Sequence, residues 1–421
     1  MISRFLESWL TQVIKRPQAI QLSGLRQTGK TTLMQAHMQQ FPGALHYPLQ
    51  DFVVFDRYHA DVTRWVLEIE AKLIQGKHSS DQPLQVFVDE IQKIPALYQA
   101  IHGLYDKHKH AIKFWIWGSS ARPQKKHRAE TLAGRVLCKT LWPLTQTETL
   151  KSANIVPFLT DAQQFLPRIE IFKPRDFDDR LDRALRHSML PEPWLADNSQ
   201  IAADLLESYH ATYIENEIRR ENLVSDIGVF DRFVRLAADE NGGVVNFQSK
   251  AQVLGLSMPT VKTYYDILKD TFLVHWLPVY SRSLRVRLQK HPKVYFSDAG
   301  LARYIAGHRG SLPQGTASFG QFFEAWVVAE IFKQVEYHAL PWTLSHARTQ
   351  AGLEVDVMID TPEGTIAVEI KAAEKLNESD IKNIKKFMQL DSNIKLGVVF
   401  SMQSAPYKLA DNIYNIPVWN I

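Results

Sequence analysis

Gly24-Leu25-Arg26-Gln27-Thr28-Gly29-Lys30-Thr31-Thr32 decides how the first third of this chain is read. It fits G-x-x-x-x-G-K-S/T, a turn whose glycines let backbone N–H groups wrap a phosphate. Its surroundings suit that use. Ala19 to Ser23 is a short apolar run that reads as a strand, and Thr31 to Gln40 reads as a helix whose positive end faces the turn. Lys30 would reach the β- and γ-phosphates of a nucleotide, and the Thr31 hydroxyl would hold Mg²⁺. The competing reading is a Gly-Lys turn that binds nothing.

Working outward, Val86-Phe87-Val88-Asp89-Glu90 is an apolar strand that ends in two acids, two strand–helix units beyond the turn. Asp89 can bind Mg²⁺ through water and Glu90 can polarise the attacking water. Ligands of parallel sheets sit at the C-terminal ends of strands, where both motifs fall. Helices are expected from Ile2 to Ile14, Arg57 to Gln75 and Ala96 to Lys107. Further strands are expected at Leu45 to Leu49, Leu84 to Val88, Ile112 to Trp117 and Val136 to Leu141. This alternation predicts an α/β fold, a three-layer parallel sheet.

The pattern changes after Pro143. Thr145 to Asn198 reads as helical and irregular, punctuated by Pro157, Pro167, Pro174, Pro191 and Pro193. Leu205 to Arg220 and Val229 to Ala238 read as helices. Beyond a loop near Gly315 the α/β character returns, with a helix from Phe319 to Phe332. Strands follow at Glu354 to Ile359, Thr365 to Ile370 and Ile394 to Phe400, with a helix from Ser379 to Gln389 between the last two.

Composition narrows the function classes. Of 421 residues, 45% are hydrophobic and 22% charged, which is ordinary globular usage and excludes a disordered chain. A formal charge of +4 allows a local nucleic-acid patch but not a uniformly basic binder. The single cysteine, Cys138, excludes an internal disulfide and a Cys-rich zinc site; its apolar strand suggests a small buried side chain. His108 and His110 cannot share a helix face, so no histidine metal pair is expected there. Met1 to Leu10 lacks the order of a signal peptide, and no apolar run approaches the ~20 residues of a membrane span, so a cytoplasmic protein without membrane contact is expected.

Other groups near the proposed phosphate site carry two readings each. Ser119, in Trp117-Gly118-Ser119-Ser120, can sense the γ-phosphate or simply belong to a Gly-Ser turn. Arg135, in Leu132-Ala133-Gly134-Arg135, is either an arginine finger, for its own site or a neighbour's, or half of a salt bridge. The loop from Arg122 to Arg128 reads as a solvated basic loop or a nucleic-acid contact.

These pieces resemble a family of prokaryotic AAA-superfamily ATPases, of the AAA_14 type, that carry a C-terminal domain of unknown function like DUF4143. The matching residues are the glycine turn, Val88-Asp89-Glu90-Ile91-Gln92-Lys93, Gly118-Ser119-Ser120, Leu132-Ala133-Gly134-Arg135, the stretch from Pro292 to Leu301, and Phe323-Glu324. The resemblance implies a P-loop NTPase domain over residues 1–145, a helical linker over 146–240, a winged-helix-like segment over 241–312 and a nuclease-like fold over 313–421. One position departs from the family, whose members usually place Thr where this chain has Trp117.

Ser249 to Ile267 reads as two short helices around a turn, with Ala251 as the small residue, Gly255 in the turn and Val261 facing the core. The second helix would start near Ser257 and expose Lys262, Tyr264 and Lys269. Trp276, Tyr280, Arg282, Arg285, Arg287, Lys290, Lys293 and Tyr295 follow. Cations of this stretch could neutralise phosphates and its aromatics could stack on bases, so DNA is one expected partner, against a scaffold used for packing or protein contacts.

In the tail, residues two apart on a strand share a face, which puts Glu369 with Lys371, and a turn at Thr361 to Gly364 would bring Asp356 beside them. Asp356 and Glu369 could hold Mg²⁺ or Mn²⁺, Glu324 could complete the shell, and Lys371 could orient or deprotonate water. This arrangement resembles the PD-(D/E)xK nucleases. A surviving fold that does not cleave is the other reading. For the whole chain the sequence supports an ATP-driven enzyme acting on DNA, a non-cleaving nucleotide switch, or an interaction module for a protein partner or a second copy.

Overall fold

The computed structural model describes residues 2–76, 78–118, 132–150, 162–213, 218, 224, 226–281, 291–349 and 352–421. The chain forms two compact units, residues 1–143 with 270–272, and residues 144–269 with 273–421.

The first unit is built on five parallel strands. They are β1 (Ala19–Ser23), β2 (Leu45–Pro48), β3 (Leu84–Asp89), β4 (Ile112–Trp117) and β5 (Val136–Thr140), in the order β2-β3-β4-β1-β5. Helices α1 (Leu6–Val13), α2 (Lys30–Met38), α3 (Phe52–His59), α4 (Val62–Gln75) and α5 (Ala96–His108) accompany them. Every residue of β3 and β4 is buried, so both faces of the central strands are covered. The period-two alternation sorts those faces. Val86, Val88, Ile112, Phe114 and Ile116 join a core with Trp65, Ile69, Leu97 and Ile101. On the other face, Trp115 packs beside His37 of α2 and stacks on Phe87 at 5.8 Å. Asp89 and Trp117 lie on that second face too, being two residues beyond Phe87 and Trp115.

The parallel α/β class is as expected, with two local corrections. The helix read across Arg57 to Gln75 is two helices. Asp51 accepts from Val53 N and Val54 N to start α3, and Asp61 accepts from Thr63 N to start α4, so two side-chain caps divide the stretch. Cys138 is exposed, not buried, because β5 is the edge strand of the sheet.

The second unit opens with α6 (Gln146–Leu150), α7 (Phe177–His187), α8 (Ser199–Tyr213) and α9 (Ile227–Asp239). Next come α10 (Phe247–Leu254) and α11 (Met258–Asp270), joined at Gly255 with φ +66, and the antiparallel pair β6 (Val274–Leu277) and β7 (Lys293–Phe296). After α12 (Ala299–Ile305) and α13 (Ala317–Tyr337) lies a mixed six-stranded sheet: β8 (Thr343–Arg348), β9 (Glu354–Thr361), β10 (Gly364–Lys371), β11 (Ile394–Ser401), β12 (Tyr407–Ala410) and β13 (Ile413–Pro417), ordered β12-β13-β11-β10-β9-β8. Helix α14 (Glu378–Leu390) covers β10 and β11 through Ile381 and Ile384. Among the described residues no helix is long and apolar enough to cross a membrane.

Candidate functional site

The turn after β1 has the backbone that its glycines allow. Gly24 takes φ +146, and a Cβ there would lie 2.2 Å from the Leu141 carbonyl oxygen, so only glycine fits. Gln27 (φ +60) and Gly29 (φ +88) are also left-handed, which curls the loop into α2. Thr28, fully buried, donates from Oγ1 to the Leu25 carbonyl at 2.9 Å. Lys30 Nζ donates to the carbonyls of Gly24 (2.9 Å) and Leu25 (2.6 Å), which holds its ammonium over the turn.

Thr31 and Asp89 come together from α2 and the end of β3. The Thr31 hydroxyl donates to Asp89 Oδ2 at 3.3 Å, and it accepts from the Trp117 indole Nε1 at 3.2 Å. Asp89 Oδ1 is buried and, among the described residues, has no hydrogen-bond partner. Burial, and then the charge of Glu90, pushes the Asp89 carboxyl up to about 7. A buried carboxylate oxygen with no donor among the described residues, beside a threonine hydroxyl, is a donor set that a divalent cation fits. Glu90 itself has φ +51, a rare backbone for a non-glycine residue. Its carboxylate oxygens receive the side-chain amides of Gln50, at 3.5 Å, and of Gln92.

Two contributors were not read from the sequence. Arg4 is buried and donates to the carbonyls of Thr28 (2.6 Å) and Trp142 (2.7 Å), tying the turn to the segment after β5. Nothing in Ser3-Arg4-Phe5 marks an arginine as anything but the polar face of a helix. Lys113, in the middle of β4, donates to the carbonyls of Val13, Arg16 and Gln18, which satisfies the end of α1. Its signal was a lone lysine inside an apolar strand.

Of the other expected groups, Ser119 and the loop from Arg122 to Arg128 lie outside the described residues. Arg135 forms a two-pronged pair with Asp106, Nε to Oδ1 at 2.7 Å and Nη2 to Oδ2 at 3.1 Å. It precedes β5, whose Val136 pairs with Ala19 at the start of β1. Five strand residues, about 15 Å, separate that end from Gly24. Arg135 therefore serves as a salt bridge within its own chain, and a finger acting on its own site is corrected.

In the tail, β9 and β10 pair as expected, and the Asp356, Glu369 and Lys371 side chains meet. Lys371 Nζ lies 2.9 Å from Glu369 Oε2, and Ile370 N donates to Asp356 Oδ2 at 2.9 Å. Burial, and then Glu369, pushes Asp356 up to about 7; burial also raises Glu369, against the pull of Lys371. The metal shell with Glu324 is not assembled. Tyr295 donates to Glu324 Oε1 at 2.7 Å, Lys293 Nζ lies 3.4 Å from the same oxygen, and among the described residues no three His, Cys, Asp or Glu groups could hold one metal ion.

In the middle region Ala251, Gly255 and Val261 take the expected places, and Ser257 Oγ accepts from Thr260 N at 3.2 Å. Lys262 and Lys269 are exposed. Tyr264 is not; it is buried edge-on against Phe230 and Phe233, because it lies three residues from Val261 on the core face. Lys293 and Tyr295 are buried as well, in the Glu324 contacts above. Arg282, Arg285, Arg287 and Lys290 fall outside the described residues.

Comparison with known proteins agrees with the two ends of the chain. Residues 16–150 match the family described as an AAA domain, residues 178–311 a domain of unknown function (DUF8612), and residues 319–421 another (DUF4143). Two uncharacterised mycobacterial proteins, Rv2008c of Mycobacterium tuberculosis and Mb2031c of Mycobacterium bovis, are each 23% identical over 97% of this chain and 82% of their own. Among solved structures, the Walker-type ATPase PABY2304 of Pyrococcus abyssi aligns with 72% of this chain and 96% of its own at 13% identity and a TM-score of 0.46. PH0952 of Pyrococcus horikoshii, a signal transduction ATPase with numerous domains that has a tetratricopeptide repeat sensor, aligns with 80% of this chain and 45% of its own at 10% identity and a TM-score of 0.26.

Proposed function

We propose, for a chain that joins an AAA domain at residues 16–150 to a DUF4143 domain at residues 319–421, that the first unit binds ATP with Mg²⁺ and hydrolyses it. The observation that carries this reading is the meeting of Thr31 with Asp89 at 3.3 Å, at the end of β3 beside the phosphate turn. Thr31 and Asp89 would hold Mg²⁺, which when bound neutralises charge on the terminal phosphates. The loop from Gly24 to Thr32 supplies backbone N–H groups, and Lys30 supplies a cation held 2.6–2.9 Å from the loop's own carbonyls. Glu90 accepts the proton of the attacking water, and the amides of Gln50 and Gln92 orient its carboxylate.

Titration of a fluorescent ATP analogue with and without Mg²⁺ tests this. Lys30→Ala is expected to weaken binding at least ~10-fold, and Glu90→Gln to keep binding while turnover falls ~100-fold or more. Well-folded wild type that binds no nucleotide overturns the reading, and a Glu90→Gln protein that no longer binds overturns the role of Glu90.

In this reading the nucleotide state governs the rest of the chain, taken as a helical linker, a winged-helix-like segment and a nuclease-like tail. A second activity is favoured by one observation, the meeting of Asp356, Glu369 and Lys371. Asp356 and Glu369 would hold Mg²⁺ or Mn²⁺ for phosphodiester cleavage, and Lys371 would orient the water. Plasmid nicking with each metal tests it: Lys371→Ala should abolish nicking, and equal nicking by variant and wild type would place the activity elsewhere. ATP-dependent, salt-sensitive DNA binding without nicking would leave the non-cleaving switch.

A further inference from the structure

Trp117 ends β4 and is buried. Register places it between the two halves of the nucleotide site, level with Leu22 of β1 on one side and Asp89 of β3 on the other. Its ring is held by His46, stacked at 6.0 Å, and by Phe87, edge-on at 6.4 Å. The one polar atom of that ring, Nε1, donates to Thr31 Oγ1 at 3.2 Å.

A threonine hydroxyl has one hydrogen and two lone pairs. Here the hydrogen goes to Asp89 Oδ2 and one lone pair receives the Trp117 N–H. The hydroxyl's orientation is thereby fixed, and among the described residues its second lone pair is left to a cation. We infer that Trp117 is a positioning residue for magnesium: it sets the Thr31 hydroxyl in its ligating orientation before the cation arrives. This rests on the ATP reading above. A buried indole N–H without this acceptor would be left unsatisfied.

Trp117→Phe keeps the ring and removes the donor. The Mg²⁺ concentration that gives half-maximal nucleotide binding should rise ~3- to 10-fold, while affinity for nucleotide in EDTA and turnover at saturating Mg²⁺ stay within ~2-fold of wild type. A purely structural role would instead lower all three together. Trp117→His, which returns a ring N–H, should recover part of the loss. An unchanged Mg²⁺ requirement in a folded Trp117→Phe overturns the inference while leaving ATP binding in place; wild type with no Mg²⁺-dependent binding sinks the ATP reading itself.

Should Trp117→Phe not fold, the ten indole N–H signals of the ¹⁵N-labelled wild type give the answer. The signal that moves in Thr31→Ala without nucleotide should be the one that moves when Mg²⁺ is added to the ADP-bound wild type. If no signal is common to both experiments, the inference is overturned.

Discussion

His275 lies flat on Phe332 with ring centroids 4.1 Å apart, and among the described residues neither of its nitrogens has a hydrogen-bond partner. Burial, and then the charge of Lys333, holds the ring neutral down to about 3. The unfolded chain takes up that proton near 6.5. Between these values the unfolded state binds more protons, so this residue's contribution to stability falls as pH falls from about 6.5. Buried carboxyls such as Asp298 and Glu330 are raised by burial and act in the opposite sense, so the effect is read as a difference. The stability gap between His275→Phe and wild type should be flat above pH 7 and shift in favour of the variant by about 1.4 kcal/mol per pH unit between 6 and 4. Urea midpoints of both proteins at pH 7.5 and 5.0 check this, and an unchanged gap means the folded ring titrates freely. Such a residue is illegible in sequence, as are Arg4 and Lys113. Their partners are backbone carbonyls and rings brought in from distant positions, so nothing local announces them. Lys30 and Thr31 were legible because a phosphate turn places its groups by spacing along a single strand–turn–helix, and Asp89 because it ends an apolar strand.

At the scale of elements, the stretch from Pro292 to Leu301 turns out to be a clasp. Asp298 Oδ1 accepts from Leu301 N at 2.7 Å to cap α12, while its Oδ2 accepts from Ser188 Oγ at 2.9 Å and Met189 N at 2.6 Å at the end of α7. Gly300 is what lets the two helices meet. A Cβ there would lie 2.4 Å from the Ala184 carbonyl oxygen and 2.5 Å from Ser188 N, both backbone. Gly300→Ala should cost about 2–3 kcal/mol or more of unfolding free energy. Gly320, in the first turn of α13 with open space around it, should gain about 0.5–1 kcal/mol as alanine. Paired denaturation curves decide it, and two changes of the same sign would contradict the packing. The strands were legible for a plain reason: β4 is a continuous apolar run, apart from Lys113, and coincides with its expected span, Ile112–Trp117. The division between α3 and α4 was not, because it depends on Asp51 and Asp61 acting as caps rather than as surface charges. Tyr264, expected to be exposed, instead lies on the buried helix face that carries Val261.

At the scale of the whole molecule, the two ends of the chain declared themselves through spaced motifs and the middle did not. The second unit is organised about a fully buried ion pair on α13. Lys333 Nζ lies 2.7 Å from Glu330 Oε1 and donates to the Leu144 carbonyl at 2.9 Å; Glu330 Oε2 accepts from Gln146 N at 2.8 Å. The Gln146 side chain also donates to the Trp419 carbonyl at 2.9 Å. These bonds join positions 184 and 273 residues apart. On a ribosome adding about 5–20 residues per second, Gln146 is made roughly 14 to 55 seconds before Trp419. All five strands of the nucleotide sheet are synthesised before that wait begins. The strands of that sheet can therefore pair while the second unit is still incomplete, and residues 270–272, which also belong to the first unit, join it only later.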